Sequence, residues 1–292
     1  MINPFTEIPT TDLTDKKLVE QALKGQRPAL EMLIKRHQAW IYNIAFRMVW
    51  HPQDAEDITQ EILIKILTKL STFKGQASFR TWLYRIVTNH VLNIKKCRAE
   101  NRFISFEQYG GAIDRTPDFD PPDPNSLPVD LPIILEETQI HCMLGMLLCL
   151  DRQQRLTFIL GEIIGVDHSV GSEILEINKD HFRQNLSRAR KKLYNFMNAK
   201  CGLIHPGNPC HCTRKLKALI NCGAVNPRRL LFNTNYLYRM KAVSVQKIEQ
   251  LNDFLYSKCR TLFREHPFQN SPDFVESLKE ILADHNLQAV LN

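Results

Sequence analysis

The sequence predicts an all-α protein, with two helical modules joined by an acidic, proline-rich linker and a small helical extension behind them. Three observations predict it. Apolar residues recur at i, i+3 and i+4 through the first hundred residues and again from Leu135 to Asn198. No stretch of useful length alternates with the period of two that a half-buried strand needs. Between the two helical blocks, Ser105 to Pro132 changes composition altogether.

The first helix is expected over Thr14 to Leu23, where Leu18, Val19, Ala22 and Leu23 fall on one side. Gly25 follows it. Pro28 suits the start of a second helix, because its missing N–H is one that a first turn leaves unpaired anyway. That helix runs to Val49 on Leu30, Leu33, Ile34, Ile41, Ile44, Ala45 and Met48, and His51-Pro52 breaks it. The third helix opens with Asp54, Glu56 and Asp57, whose charges complement the positive end of the helix dipole, and continues on Ile58, Ile62, Ile66 and Leu70. A polar loop, Ser71 to Ser78, leads into a fourth helix from about Phe79 to Arg102.

The linker holds Pro117, Pro121, Pro122, Pro124, Pro128 and Pro132 together with Glu107, Asp114, Asp118, Asp120, Asp123 and Asp130, against Arg115 alone. Such a composition buries too little apolar surface to offset its ordering entropy, so a flexible tether over 105–134 is expected. Helices then return over Glu136 to Cys149, Arg152 to Ile163, His168 to Leu175 and Lys179 to Met197. The last two, one short and one long around Glu176-Ile177-Asn178, have helix-turn-helix spacing. Beyond residue 198, helices are expected at about Ser244 to Arg264 and Pro272 to His285.

Bulk properties narrow the function. A chain of 292 residues has room for two or three small domains. Its net charge of +7 and pI near 9.0 favour an anionic partner. No apolar run reaches the roughly 20 residues that span a bilayer, Cys142 to Leu150 being the longest, and Met1 to Asp12 lacks the basic and apolar stretches of an export signal. A cytoplasmic protein with no membrane partner is therefore expected. There is no phosphate-binding glycine loop, His-Glu-x-x-His or nucleophile elbow, so catalysis is not expected.

Two segments then decide the reading. Asp54-Ala-Glu-Asp-Ile-Thr-Gln-Glu61 ahead of an apolar helix, and Phe79-Arg-Thr-Trp-Leu-Tyr-Arg-Ile-Val-Thr-Asn89 at the following helix, resemble the polymerase-binding and promoter-melting helices of region two in the sigma-70 family. The chain is similar to the small extracytoplasmic-function (ECF) type, with region two over 12–104. The resemblance implies that Asp54, Asp57, Gln60 and Glu61 contact core RNA polymerase. A helix start that merely caps itself is the plainer alternative for those acids. Melting needs compensation for lost base stacking, which an aromatic or guanidinium face supplies at about 1–3 kcal/mol per base. Phe73, Lys74, Gln76, Ser78 and Arg80 are candidates for a base pocket, and Asn89, His90, Asn93, Lys95, Lys96 and Arg98 for base-edge and phosphate contacts. Tyr84 and Arg85 are expected to face DNA. Trp82, between Phe79 and Ile86, suits core packing at least as well.

Leu186-Ser-Arg-Ala-Arg-Lys-Lys-Leu193 resembles the end of the region-four helix that binds the minus-thirty-five element, which places region four over 135–198. Lys179, Asp180, His181, Arg183 and Gln184 would read bases, and Arg188, Arg190, Lys191 and Lys192 would bind phosphates. Glu176 stands where the family turn has glycine, and Gly171 replaces an apolar residue, which predicts a looser motif. The resemblance further implies promoter DNA and core polymerase as partners, an anti-sigma factor as a third, and a linker whose acids run near the path of nascent RNA.

The extension over 199–292 carries Cys201, Cys210, Cys212 and Cys222, with His205 and His211 among them. These are zinc-binding residue types, but not at the spacing of paired Cys-x-x-Cys knuckles. Structural zinc, redox or soft-metal sensing, and unliganded thiols all stay open, and no cofactor is expected to be required. Two other functions compete: a helix-turn-helix regulator that works without polymerase, and a metal- or redox-responsive adaptor.

Overall fold

The computed structural model describes residues 10–95, 100, 105–232, 259–264, 269, 271–276 and 278. The regular elements among these residues are all helices, with an isolated β-bridge between Cys201 and Cys210, so the all-α class holds. They divide into two compact units: 1–99 with 152–187 and 268–292, and 100–151 with 188–267. This partition differs from the linear one expected, because the helix-turn-helix groups with the N-terminal helices.

In the first unit, α1 (Thr10–Leu23), α2 (Arg27–Val49), α3 (Pro52–Lys69) and α4 (Phe79–Asn93) follow one another. Their core is Ile41, Ile44, Phe46, Ile62, Leu70, Phe79, Val87 and Val91, all essentially buried. Asp15 is buried on α1 and meets Arg36 Nε at 2.7 Å and His37 Nε2 at 3.3 Å on α2. Burial pushes its carboxyl up, but His37 and Arg36 outweigh that and leave it below the usual carboxylate range. Residues 70–72 close α3 with a 3-10 turn. The expected fourth helix is shorter than its sequence pattern: Ile94 is already extended, and Arg152 donates to the carbonyls of Leu92, in the last turn, and Lys95, just past it.

Arg152 opens α7 (Arg152–Phe158), which continues as a π-turn (Ile159–Ile164), then α8 (His168–Leu175). Arg155, also on α7, is buried and donates to the Met48 carbonyl at the end of α2. Helix ends leave carbonyls without intrahelical partners, and these two arginines supply them. Far along the chain, Asn43 donates to the Gln269 carbonyl at 2.7 Å and accepts the Gln269 N–H at 2.8 Å, so its amide pairs with a backbone peptide. The N–H of Phe274 donates to Gln38 Oε1 at 3.1 Å. A strap near the C-terminus thus lies on α2.

The second unit contains α5 (Phe106–Arg115), α6 (Leu131–Leu148), the later part of α9 (Lys179–Lys200) and α10 (Cys212–Asn221). Here the expected tether is corrected. Ser105 caps α5 by accepting the Gln108 N–H, Tyr109 is buried, and its hydroxyl donates to the Cys142 carbonyl at 3.0 Å. Gly145 makes room for that ring, since a Cβ there would stand 2.7 Å from the Tyr109 oxygen. Asp114 pairs with Lys200 at 2.6 Å and Asp118 with Lys215 at 2.9 Å. A few apolar anchors and two ion pairs order what mean composition assigned to a tether. Helix α6 is long and apolar enough to cross a membrane by length and composition, with a mean hydropathy of 1.2 over its window, yet 61% of that window is buried. The expected Ser244–Arg264 helix lies largely outside the described residues, as does most of Pro272–His285.

Candidate polymerase and nucleic-acid interface

The acids expected to meet polymerase stand on α3. His51 caps this helix through Nδ1, which accepts the Asp54 N–H at 3.4 Å, and Pro52 occupies its first turn. Ala55, Thr59, Ile62, Leu63 and Ile66 turn inward, which leaves Asp57 and Glu61 exposed and Asp54 partly so. Asp54, Asp57, Ile58 and Glu61 form one wall of a groove of about 1000 Å³; Asn89, His90, Asn93 and Lys95 lie along the other. Gln60 is half-buried and outside that lining. Lys65 and Lys69 continue the α3 wall beyond the acids, so an acidic first half of α3 faces two amides and Lys95 on α4.

The loop before α4 is organised by aromatic packing. Phe73 lies 5.4 Å from Phe79 and 5.6 Å from Trp82, ring to ring. Trp82 therefore shares a cluster with the core residue Phe79. Lys74 and Gln76 are exposed around Gly75, whose φ of +70° makes the bend. Ser78 caps α4, accepting the Thr81 N–H at 3.1 Å, and Arg80 is half-buried beside it.

Two residues expected at the DNA are buried instead. Tyr84 has no exposed surface, its ring lies 6.1 Å from His37, and burial pushes its phenol up. Helical spacing put it beside Arg85 but not on the same side. His90 is also buried: Nδ1 accepts from Lys65 Nζ at 2.6 Å, and Nε2 lies 3.2 Å from Glu61 Oε2. Burial, then Lys65, lower its pKa, and Glu61 only partly opposes them. The ring ties the acidic helix to α4. Arg85, Asn89, Asn93 and Lys95 remain on the surface, and Lys96 and Arg98 lie outside the described residues.

The helix-turn-helix forms as the spacing predicted, α8 and then α9. Asp167 caps α8, accepting the Ser169 N–H at 2.7 Å; that backbone bond is the chief cause of its lowered pKa. Asn178 caps α9, accepting the His181 N–H at 2.7 Å. The expected looseness at Gly171 is corrected. A Cβ there would stand 2.5 Å from the Phe182 ring, so the glycine admits a tight helix–helix contact. Gly161 does the same for Leu186, at 2.8 Å. Phe182, Leu186, Ala189 and Leu193 face inward. Lys179, Asp180, Arg183, Gln184, Arg188, Lys191 and Lys192 are exposed, with His181 and Arg190 half-buried. Glu176 closes the turn at φ +53°.

The cysteines do not fit the metal set expected. Cys222 is exposed, and its thiol donates to the Leu219 carbonyl at 3.4 Å. Cys201, Cys210 and Cys212 share a small apolar cavity with Cys142, Met143 and Met197. Burial is the main cause that pushes Cys210 up to about 11 and Cys212 to about 12. Among the described residues no group of three or more His, Cys, Asp or Glu side chains could hold a metal ion.

Nothing in the sequence marked Arg152, Arg155 or Asn43 as organising residues. Each reaches a backbone group of a distant element, which no local pattern reports.

Residues 33–102 match the family model described as sigma-70 region 2. Similar curated proteins include the ECF RNA polymerase sigma-E factor of Haemophilus influenzae, 29% identical over 188 residues, covering 63% of this chain and 95% of that protein. The Escherichia coli sigma-E factor is 29% identical over 196 residues, covering 63% and 94%. The RNA polymerase sigma-H factor of Pseudomonas aeruginosa is 37% identical over 83 residues, 28% of this chain and 43% of that protein. Among solved structures, CnrH in complex with the cytosolic domain of CnrY is similar at 20% identity and a TM-score of 0.45, covering 64% of this chain and 98% of that one.

Proposed function

We propose, from its membership of the sigma-70 family of the ECF type, that this chain directs RNA polymerase to particular promoters and melts them. The observation that carries the reading is the region-2 match over residues 33–102, inside which Asp57 and Glu61 stand exposed along the groove. The partners are core polymerase and promoter DNA, with an anti-sigma factor as a regulatory third. The chain acts without catalysis of its own, in the cytoplasm. The nucleotide chemistry belongs to the polymerase.

Each surface is assigned a step. Asp54, Asp57 and Glu61 hold a basic element of the polymerase. Exposed Lys74 and Gln76, with Arg80 and the aromatic edge of Phe73, receive a base displaced from the duplex. Unstacking is offset there by contact with an aromatic or guanidinium face, about 1–3 kcal/mol per base. Arg85, Asn89, Asn93 and Lys95 follow the strand along α4. On α9, Asp180, Arg183 and Gln184 share one side with Arg188 and Lys191, so base contacts in the first turns pass into phosphate contacts along the same stripe.

The test is affinity for sigma-free core polymerase. The double variant D57A/E61A is expected to bind at least tenfold more weakly, at about 1.4 kcal/mol per decade, with its helical circular dichroism unchanged. Equal affinity would remove the acids from the interface.

A further inference from the structure

We propose that the side of α4 formed by Arg85, Thr88 and Asn89 is one binding surface with two alternative occupants. One is single-stranded promoter DNA; the other is the C-terminal end of α8 in the same chain, held there by Glu176. The inference rests on the reading of α4 as the melting helix.

Three observations carry it. First, the surface is occupied. Arg85 Nε donates to the Glu173 carbonyl at 2.8 Å, Thr88 Oγ1 to the Ile174 carbonyl at 3.2 Å, and Asn89 Nδ2 to Glu176 Oε2 at 3.4 Å. Glu176 Oε1 lies 4.0 Å from Arg85 Nε. The last carbonyls of a helix lack the regular i+4 partner; that of Glu173 accepts the Glu176 N–H at 3.4 Å as well as Arg85, and that of Ile174 accepts Thr88. A guanidinium, a hydroxyl and an amide are also the donors that phosphate and base oxygens take. Carbonyl and carboxylate oxygens stand here where nucleic-acid oxygens would bind.

Second, Glu176 has no local reason to be a glutamate. Its φ of +53° is a backbone state that glycine adopts freely and other residues at a cost. The turn closes through main-chain bonds, the Ile177 N–H to the Ser172 carbonyl at 3.1 Å among them, which a glycine would make equally well. What the side chain adds is its reach onto α4.

Third, the acids stay accessible. Asp57 and Glu61 are exposed while α8 covers the neighbouring surface, so the closed chain still presents its polymerase-facing row. DNA, by contrast, must displace α8. Arg152 also anchors on the last turn of α4, so loss of Glu176 weakens the closed state without abolishing it.

The experiment compares the full-length chain with E176G and E176A. It measures binding of a fluorescein-labelled, mixed-sequence single-stranded oligonucleotide, amide hydrogen exchange over residues 168–178, and thermal stability. Both variants are expected to bind the oligonucleotide about three- to tenfold more tightly, the span of one hydrogen bond, and to exchange faster at the end of α8. Stability separates them: E176G relieves the backbone and holds or raises Tm, whereas E176A keeps the strain and lowers it. Unchanged exchange in both variants would overturn the role of Glu176. Faster exchange with unchanged oligonucleotide affinity would overturn the competition. No oligonucleotide binding by any of the three would overturn the DNA reading of α4, while exchange would still report the intramolecular contact.

Discussion

Glu61 meets two demands at once: its carboxylate is exposed at the groove, yet it lies 3.2 Å from the buried ring of His90. His90 was legible as a polar residue on a helix otherwise rich in nucleic-acid donors, and that pattern pointed it the wrong way. Its burial depends on Lys65 and Glu61 of another helix, which no spacing within α4 reveals. Because its folded pKa is below the ordinary value of 6.5, the unfolded chain binds more protons between the two values. The contribution is whole above pH 6.5 and is lost as pH falls from there toward the folded value. H90Q is therefore expected to flatten the fall in Tm between pH 7 and pH 5; a fall as steep as in the parent chain would count against the assignment. Gly171 was misread for a related reason. Its cost to helix propensity is visible in the sequence, but the Phe182 ring it admits is not. G171A should lower stability by about 1–3 kcal/mol through overpacking, read as a shift in denaturant midpoint. A gain, as helix propensity alone would give, would show that the contact can yield.

At the scale of elements, amphipathic spacing carried most of the fold. α2, α3, α8 and α9 fall close to their expected limits because each has its own apolar stripe and its own start signal, such as Pro28, Asp167 or Asn178. The linker escaped because α5 depends on Tyr109 and Gly110 packing against distant side chains, within a segment whose average composition is that of a tether. Tyr109→Ala should release α5, seen as faster amide exchange over residues 106–115 with little change in α3. Retained protection would make the ion pairs to Lys200 and Lys215 the anchors instead. On α9, removal of two phosphate-directed charges in R188Q/K191Q is expected to reduce the slope of log affinity against log salt for promoter duplex by roughly 2. An unchanged slope would assign that stripe to solvent.

For the whole molecule, the likeness to two sigma-E factors covers 63% of the chain, well beyond the region-2 match at residues 33–102. The sequence indicated polymerase, promoter and helical architecture through two motifs at their family spacing. It did not indicate that the helix-turn-helix groups with the N-terminal helices, that a strap at Gln269 and Phe274 lies on α2, or that the cysteines close around an apolar cavity. Those arrangements are made by backbone pairing and long-range packing, which leave no periodic trace. The most direct measurement is run-off transcription by sigma-free core polymerase on genomic fragments, with and without the purified chain. A discrete start site that appears only with the chain, and weakens with D57A/E61A, is the expected result. No chain-dependent transcript, together with no binding to the core enzyme, would contradict the assignment and leave a helix-turn-helix protein that binds DNA on its own.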